Sequence, residues 1–209
     1  MKDMERKQHW EHIYQTKDPS EVSWHQPVPT HSLHLIAQCG LPKSARIIDI
    51  GGGDSLLADF LLAEGYTDIT VLDISGEALR KAQKRLGDRA ASVHWIESDI
   101  GDFTPHTPFD LWHDRATFHF LTGQPAIDAY IASLQQGIRP GGHAILGTFS
   151  DQGPTKCSGL DIRQYSPQSL AHTLGSVLDP VHCQPVTHIT PSGASQHFTF
   201  CRFGRKQTA

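Results

Sequence analysis

Residues 45–55 of the 209-residue chain read ARIIDIGGGDS, and this stretch decides the fold. The run 45–50 is short, rich in isoleucine and followed by turn residues, which is typical of a buried strand. Three consecutive glycines, Gly51, Gly52 and Gly53, come next. Glycine lets the backbone adopt positive φ and approach a ligand closely. The stretch therefore predicts a strand, a tight turn and a helix, with room for a ligand against the turn.

The alternation of strands and helices continues through residue 150. Strands are predicted at 45–50, 69–72, 93–96, 109–112 and 143–149, and helices at 56–63, 77–86 and 126–138. This alternation predicts a parallel sheet with helices on both faces. Two later runs, 181–189 and 196–203, flank the turn TPSGAS and predict a hairpin. We therefore expect an α/β fold: a Rossmann-like, doubly wound, seven-stranded sheet, mostly parallel with an antiparallel C-terminal hairpin strand.

Composition argues against several classes of function. The 18 Lys and Arg against 22 Asp and Glu give a formal charge of −4, so no basic excess is available to bind nucleic acid. No apolar run is long enough to cross a membrane, and the start MKDMERKQHW is too charged for a signal region. The 14 His follow no zinc-binding pattern, so we predict no metal. We expect four free thiols in a reducing cytoplasm: Cys39, Cys157, Cys183 and Cys201.

Acidic residues stand at the ends of the predicted strands. Asp49 lies in the first strand, and Asp73, Asp99 and Asp114 follow the next three. Ligands of parallel sheets bind beyond the carboxyl ends of the strands, so these side chains point to one cleft. Asp73 stands 22 residues after Gly51, where a carboxylate accepts hydrogen bonds from ribose hydroxyls.

Two further features of the sequence indicate which class of ligand the cleft binds. An acid at Asp99 can accept a hydrogen bond from an adenine amino group, and Ile100 beside it can pack on the ring. A dinucleotide fingerprint would need a glycine where Leu56 stands, and Asp54 puts an acid where a pyrophosphate would lie. Both departures disfavour a dehydrogenase.

Five motifs, in chain order, resemble those of the class I S-adenosylmethionine-dependent methyltransferases. They are Asp49-Ile50-Gly51-Gly52-Gly53, Val71-Leu72-Asp73-Ile74-Ser75, Ser98-Asp99-Ile100, the stretch from Phe109-Asp110 to Asp114-Arg115, and Ile138-Arg139-Pro140-Gly141-Gly142. The resemblance covers about residues 8–150, and Ser55 replaces a further glycine of the family loop. It implies S-adenosyl-L-methionine as cofactor and S-adenosyl-L-homocysteine as product.

The resemblance also implies where the cofactor lies. It places the methionine moiety at Asp49 and Gly51 and the ribose at Asp73. It places the adenine at Ile74, Asp99 and Ile100. The remaining expected cofactor contacts are Gly52, Gly53, Asp114 and Trp24. Trp24 near a sulfonium would suit a cation–π contact.

The end of the fourth strand supplies the candidate catalytic residues. His113 or His119 can take a proton, and Asp114 can hold an amine or orient the cofactor. Since strand side chains alternate between faces, His113 and Asp114 point to opposite sides and only one reaches the cleft. The residues expected to contact the acceptor are Arg115, His25 on the N-terminal arm and His188 on the hairpin.

A narrower resemblance involves the N-terminal aromatics and the fourth strand. Trp10, Tyr14 and Trp24, together with Asp114-Arg115-Ala116-Thr117, are similar to lysine methyltransferases that modify elongation factor 1A. Thiopurine- and tellurite-type methyltransferases also carry an Asp-Arg there. The tail does not follow the lysine enzymes clearly, so this resemblance supports the fold and cofactor rather than a substrate.

These observations predict a cytoplasmic enzyme that transfers a methyl group by in-line displacement to a small-molecule acceptor. The alternatives are a protein lysine methyltransferase and a non-catalytic S-adenosylmethionine-binding protein. We expect one domain over 1–209, as a monomer or dimer. Its parts are an N-terminal arm or lid (1–30), a cofactor-binding core (31–150), and a substrate-side loop with the C-terminal hairpin (151–209).

Overall fold

A seven-stranded sheet organises the computed structural model, which describes residues 3–207. Its strands are β1 (Arg46–Ile50), β2 (Asp68–Asp73), β3 (Val93–Glu97), β4 (Phe109–Arg115), β5 (Ile138–Phe149), β6 (Leu178–Ile189) and β7 (Ser195–Arg205). They lie in the order β3-β2-β1-β4-β5-β7-β6, and β7 runs antiparallel to both neighbours. The predicted fold class is confirmed. The predicted domain limits at residues 1 and 209 lie outside the described residues.

Helices cover both faces of the sheet. They are α1 (Asp3–Thr16), α2 (Thr30–Ala37), α3 (Leu57–Ala63), α4 (Gly76–Leu86), α5 (Gln124–Gly137) and α6 (Pro167–Leu174). Apolar side chains of α2, α3 and α4 pack on one face, and those of α5 and α6 pack on the other. The loop 151–165 contains a small hairpin, Lys156–Cys157 paired with Leu160–Asp161.

Alternation along the strands divides the core into two layers. Ile48 and Ile50 of β1 face the layer that contains Trp112 of β4, whereas Ile47 faces the layer that contains Leu111. Because β1 and β4 pair in parallel, the same alternation fixes the direction of the polar residues at their ends.

Strand β5 begins earlier than the sequence predicts. The Pro140-Gly141-Gly142 stretch was expected to separate a helix from a strand at His143, but it lies within β5. Between the pairs Phe109–Ile138 and Leu111–His143 the register shifts. Gly141 has φ of +73°, so a positive-φ glycine lies within this irregularity.

A disulfide corrects the expectation of four free thiols. Cys183 on β6 and Cys201 on β7 are direct cross-strand partners and are joined by a disulfide. Cys39 and Cys157 are free. Only two of the four cysteines are therefore in the form expected in a reducing compartment.

None of the helices within residues 3–207 combines the length and apolar composition needed to cross a bilayer. In the same residues, no group of three or more His, Cys, Asp or Glu side chains is placed to hold a metal ion.

Candidate active site

A cavity lies at the carboxyl ends of β1 to β4. It is partly open to solvent, and its empty space together with that open part amounts to about 1170 Å³. Its floor is formed by the segments that follow these four strands, and its roof by the N-terminal arm with Trp10, Tyr14 and Trp24. This is the edge of a parallel sheet at which ligands bind.

The glycine turn after β1 is tightly packed against neighbouring side chains. Gly51 has φ of +62°, and a Cβ built there would lie 1.8 Å from Thr117 Oγ1. A Cβ on Gly52 would lie 2.6 Å from Asp49 Oδ2. Thr117 Oγ1 in turn donates to the carbonyl of Ile50 at 3.1 Å. Glycine is therefore required by both backbone conformation and space at Gly51.

A buried hydrogen-bonded chain holds Asp49 in place. His113 Nδ1 lies 2.6 Å from Asp49 Oδ1, and His113 Nε2 lies 2.8 Å from Ser32 Oγ. All three side chains are buried and all three residues line the cavity. His113 thus lies on the cavity side of β4, and Asp114 does not line the cavity, as the strand alternation predicts.

Asp73, at the end of β2, is a nearly inaccessible carboxyl group. Its Oδ1 accepts a hydrogen bond from the backbone N–H of Ser75 at 2.8 Å. Burial raises the pKa of Asp73 to about 7, and the nearby carboxylates of Asp54 and Asp49 add to the rise. The site therefore holds a buried carboxyl group close to two other acids, Asp54 and Asp49.

Asp99 follows β3 and lies at the cavity wall between two apolar residues, Ile74 and Ile100, that also line the cavity. Its carboxylate forms an ion pair with Arg6 of α1 and accepts from the backbone N–H of Gly101 at 2.9 Å. A carboxylate offers about four acceptor sites, so these contacts leave capacity for a ligand donor.

The roof is anchored through the middle of α1. The Glu11 carboxylate accepts hydrogen bonds from the N–H groups of Gly76 and Glu77, at 2.8 and 3.1 Å. These are orphan donors at the N-terminus of α4, where a negative charge is favoured. Trp10 packs edge-on against Trp24, with ring centroids 5.6 Å apart. The arm therefore covers the cavity with an aromatic surface.

Arg115 enters the cavity wall from the end of β4. Its Nη1 donates to the carbonyl of Trp24 at 2.9 Å, and its guanidinium lies 5.2 Å from the centroid of the Phe198 ring. Its Nε and Nη2 are buried without a hydrogen-bond partner. No Asp or Glu within residues 3–207 forms an ion pair with it. Burial lowers the pKa of Arg115 to about 10.

Asp114, predicted to be catalytic and to bind the cofactor, does not line the cavity. One oxygen accepts from the backbone N–H groups of Thr117 and Phe118, at 3.0 and 3.2 Å. The other accepts from the Tyr130 hydroxyl at 2.8 Å. Burial raises the pKa of Asp114 to about 6. Its position assigns it a structural role in shaping the segment after β4.

His119 and His188 also lie away from the cavity. His119 is wholly buried, with its ring 4.7 Å from that of Phe149, and burial lowers its pKa to about 3. His188 Nε2 lies 2.7 Å from the carbonyl oxygen of Ser23, so it supports the chain next to Trp24. His119 is thus a packed core histidine, and His188 contacts the arm rather than the cavity.

The other predicted residues come together, with one exception. Gly53 does not line the cavity, and a Cβ there would meet Tyr14 Oη at 2.7 Å. The predicted residues that line the cavity are Trp24, His25, Asp49, Gly51, Gly52, Asp73, Ile74, Asp99, Ile100, His113 and Arg115.

Sequence reasoning missed Ser32 and Arg6. Ser32 lies on the buried face of α2, together with Leu35 and Ile36. A polar residue at i−3 from Leu35 and i−4 from Ile36 is the signal that was available. For Arg6 no signal exists, because its partner Asp99 lies 93 residues away.

The strand order, the glycine turn and the buried acids after β1 and β2 define the class I S-adenosylmethionine-dependent methyltransferase fold, so the resemblance drawn from the sequence is confirmed. Residues 47–142 match the family model described as "Methyltransferase domain". This match covers slightly less than half of the 209-residue chain.

Similar proteins agree with this class. The trans-aconitate 2-methyltransferase of Rhizobium leguminosarum bv. trifolii is 31% identical over 109 residues, which are 52% of this chain and 40% of the relative. The N-methyltransferase NodS from Bradyrhizobium japonicum WM9, solved with S-adenosyl-L-homocysteine, has a TM-score of 0.70 at 18% identity, covering 95% of this chain and 97% of NodS.

A structure solved in work on the conversion of a disulfide bond into a thioacetal group during echinomycin biosynthesis has a TM-score of 0.78 at 19% identity. The match covers 96% of this chain and 91% of the other. The structural matches show a shared fold. The chain spans half or less of the length of the first curated relatives it matches.

Proposed function

We propose that this protein is an S-adenosylmethionine-dependent methyltransferase that acts on a small-molecule acceptor. The observation that carries the proposal is the roofed cavity at the ends of β1 to β4, with Asp49, Asp73 and Asp99 on its cofactor side. The methyltransferase-domain match and the similarity to proteins named as methyltransferases support it.

The residues of the cavity fit S-adenosylmethionine. Asp73 is placed to accept hydrogen bonds from the ribose hydroxyls, and Asp99 from the adenine amino group. Ile74 and Ile100 offer apolar surfaces to the adenine ring. Asp49, held by His113, offers a carboxylate to the ammonium of the methionine moiety. Gly51 and Gly52 of the glycine turn also line the cavity, so their backbone can lie against the ligand.

The protein's contribution to the reaction is mainly positioning. S-adenosylmethionine, when bound, supplies an activated methyl group. The roof formed by Trp10 and Trp24 excludes water, and the floor fixes the acceptor in line. Such positioning can supply about 7–11 kcal/mol in favourable cases.

His113 has a positioning role in this proposal. Both its ring nitrogens are engaged, one by Asp49 and one by Ser32, so neither is open to a proton from the acceptor. His113 acts by orienting the Asp49 carboxylate. His25, which also lines the cavity, is then the histidine that a protonated acceptor can reach.

The roof favours a small acceptor over a protein. A lysine methyltransferase needs a groove that admits a side chain of another protein, whereas here α1 is anchored across the cavity through Arg6 and Glu11. The trans-aconitate relative is named for a small-molecule acceptor. The proposal includes a single domain over residues 1–209 and a cytoplasmic location.

A transfer assay with radiolabelled S-adenosylmethionine tests this function. The protein is incubated with a fractionated pool of small molecules and, separately, with a total protein extract. We expect label in the small-molecule fraction together with release of S-adenosylhomocysteine. Label in a protein band would replace the proposal with a protein methyltransferase. Tight cofactor binding without transfer to either pool would indicate a non-catalytic binding protein.

A further inference from the structure

Acidic side chains line one part of the cavity, together with Arg6, which pairs with Asp99, and Arg115 lines another part. The acids are Asp49, Asp54, Asp73 and Asp99, which follow or end β1, β2 and β3. The end of β4 contributes a cation, Arg115. In the proposed function, which this inference rests on, the first side takes the cofactor. Arg115 then lies on the side left for the acceptor.

Arg115 lacks the anionic partner that a buried guanidinium needs. Its position is fixed by the Trp24 carbonyl at Nη1 and by the Phe198 ring. Asp49, on the neighbouring strand, is engaged by His113. Leaving two charged donors buried and unpaired is costly unless a ligand completes them.

The two unpartnered donors of Arg115 form one edge of the guanidinium. Nε and Nη2 lie on the same side of the planar group, and both are without a partner. Two parallel N–H groups on one edge match the two oxygens of a carboxylate. The geometry thus offers a bidentate site rather than a diffuse positive charge.

We propose that Arg115 binds a carboxylate group of the methyl acceptor through Nε and Nη2, so that the substrates of this site are small carboxylic acids. Aromatic side chains of Trp24 and Phe120 line the same cavity, which suits an acid with a flat, apolar body. A doubly charged phosphate would call for more than the one guanidinium present on this side.

Substrate binding requires a local movement in this proposal. Water does not reach Nε and Nη2 in the structure. The acceptor therefore binds when Arg115 turns towards the cavity or when the segment around Trp24 moves aside. Since Arg115 Nη1 holds the Trp24 carbonyl, acceptor binding and closure of the arm are coupled.

The test is a ligand-observed NMR titration of the protein saturated with S-adenosylhomocysteine. The probes are benzoate, phenylacetate and cinnamate, each paired with its neutral amide, and phenyl phosphate. We expect at least one carboxylate to bind about ten- to a hundredfold more tightly than its amide. Arg115→Met should remove that preference for acid over amide, measured with S-adenosylhomocysteine at a saturating concentration.

Arg115→Lys is the second variant, because it keeps the charge but lacks the two-donor edge. It should bind the carboxylate more weakly than the wild type does. If Arg115→Met does not fold, Arg115→Lys still tests the proposal. Equal binding of acid and amide, no binding of any probe, or tighter binding of phenyl phosphate would overturn the proposal. Failure to bind S-adenosylhomocysteine would instead overturn the proposed function.

Discussion

Single residues decide what the cavity can hold. At Gly52 a methyl group would collide with the Asp49 carboxylate, and at Asp73 burial keeps a carboxyl group close to its protonated form. Burial of the Asp73 carboxyl group costs free energy, and hydrogen-bond donors of a bound ligand would offset that cost. Buried acids with raised pKa values cluster at functional sites for this reason.

The pKa of Asp73 predicts how cofactor binding depends on pH. The carboxylate accepts hydrogen bonds from ribose hydroxyls better than the protonated acid does. Since the pKa is raised to about 7, affinity for S-adenosylhomocysteine should rise as the pH increases from about 6 to 8, by about tenfold. Calorimetric titration across this range measures the effect.

The control for this prediction is Asp73→Asn, which should bind weakly at every pH. A wild-type affinity that is flat across the range would contradict the assignment of Asp73. By linkage, the ligand-free protein should lose stability as the pH rises towards 7, because Asp73 ionises more easily in the unfolded chain.

Secondary-structure elements place these residues, and the sequence predicts most elements well. The glycine turn, the acids after each strand and the opposite directions of His113 and Asp114 all follow from local pattern and the two-residue period of a strand. The sequence pattern does not show how the segment after β4 folds back, so the burial of His119 could not be predicted.

The disulfide could have been predicted from the sequence. Cys183 and Cys201 lie the same distance from Ser192, at the centre of the predicted hairpin turn. Symmetric placement about a turn puts two residues opposite each other in a hairpin. In contrast, Ser32 and Arg6 meet partners 81 and 93 residues away, which only the tertiary fold determines.

Asp114 should be important for stability rather than for the reaction. Asp114→Ala leaves the Tyr130 hydroxyl and two backbone N–H groups without their acceptor, which should lower the free energy of unfolding by about 2–4 kcal/mol. Chemical denaturation measures the loss, with exposed Asp128→Ala as the control. Turnover well below the melting temperature should stay within about tenfold of wild type. A decrease in turnover of about 10²–10⁴-fold in a stably folded Asp114→Ala variant would instead indicate that Asp114 is catalytic.

Reduction of the disulfide should destabilise the edge of the sheet. The bond closes a loop of 18 residues between β6 and β7, and such loops contribute up to about 3 kcal/mol. Adding reductant should lower the melting temperature by several degrees. The double variant Cys183→Ala, Cys201→Ala should not respond. Four titratable thiols in the untreated protein, or a melting temperature that reductant does not change, would contradict the bond.

At the scale of the whole molecule, the N-terminal arm links three elements. Arg6 pairs with the acid after β3, Glu11 caps α4, and Arg115 at the end of β4 holds the Trp24 carbonyl. The arm thus contacts both the cofactor side and the acceptor side of the cavity. Closure of the roof is therefore coupled to the occupancy of both sides.

Glu11→Ala should loosen this roof. Without the carboxylate, the N–H groups of Gly76 and Glu77 lose their partner, and α1 should detach more often. We expect faster limited cleavage by trypsin after Arg6, Lys7 and Lys17, and affinity for S-adenosylhomocysteine several-fold weaker. Gln15→Ala, an exposed change on the same helix, is the control. Unchanged cleavage and affinity in Glu11→Ala would show that the cap does not hold the arm.

The central claim is that the cavity binds S-adenosylmethionine, and calorimetric titration tests it most directly. The protein is titrated in parallel with S-adenosylmethionine, S-adenosylhomocysteine and NAD, alongside Asp73→Ala and the exposed control Asp88→Ala. We predict micromolar binding of both adenosyl ligands, lost in Asp73→Ala and kept in Asp88→Ala. Binding of NAD alone, or of none of the three, would contradict the account and leave only the fold.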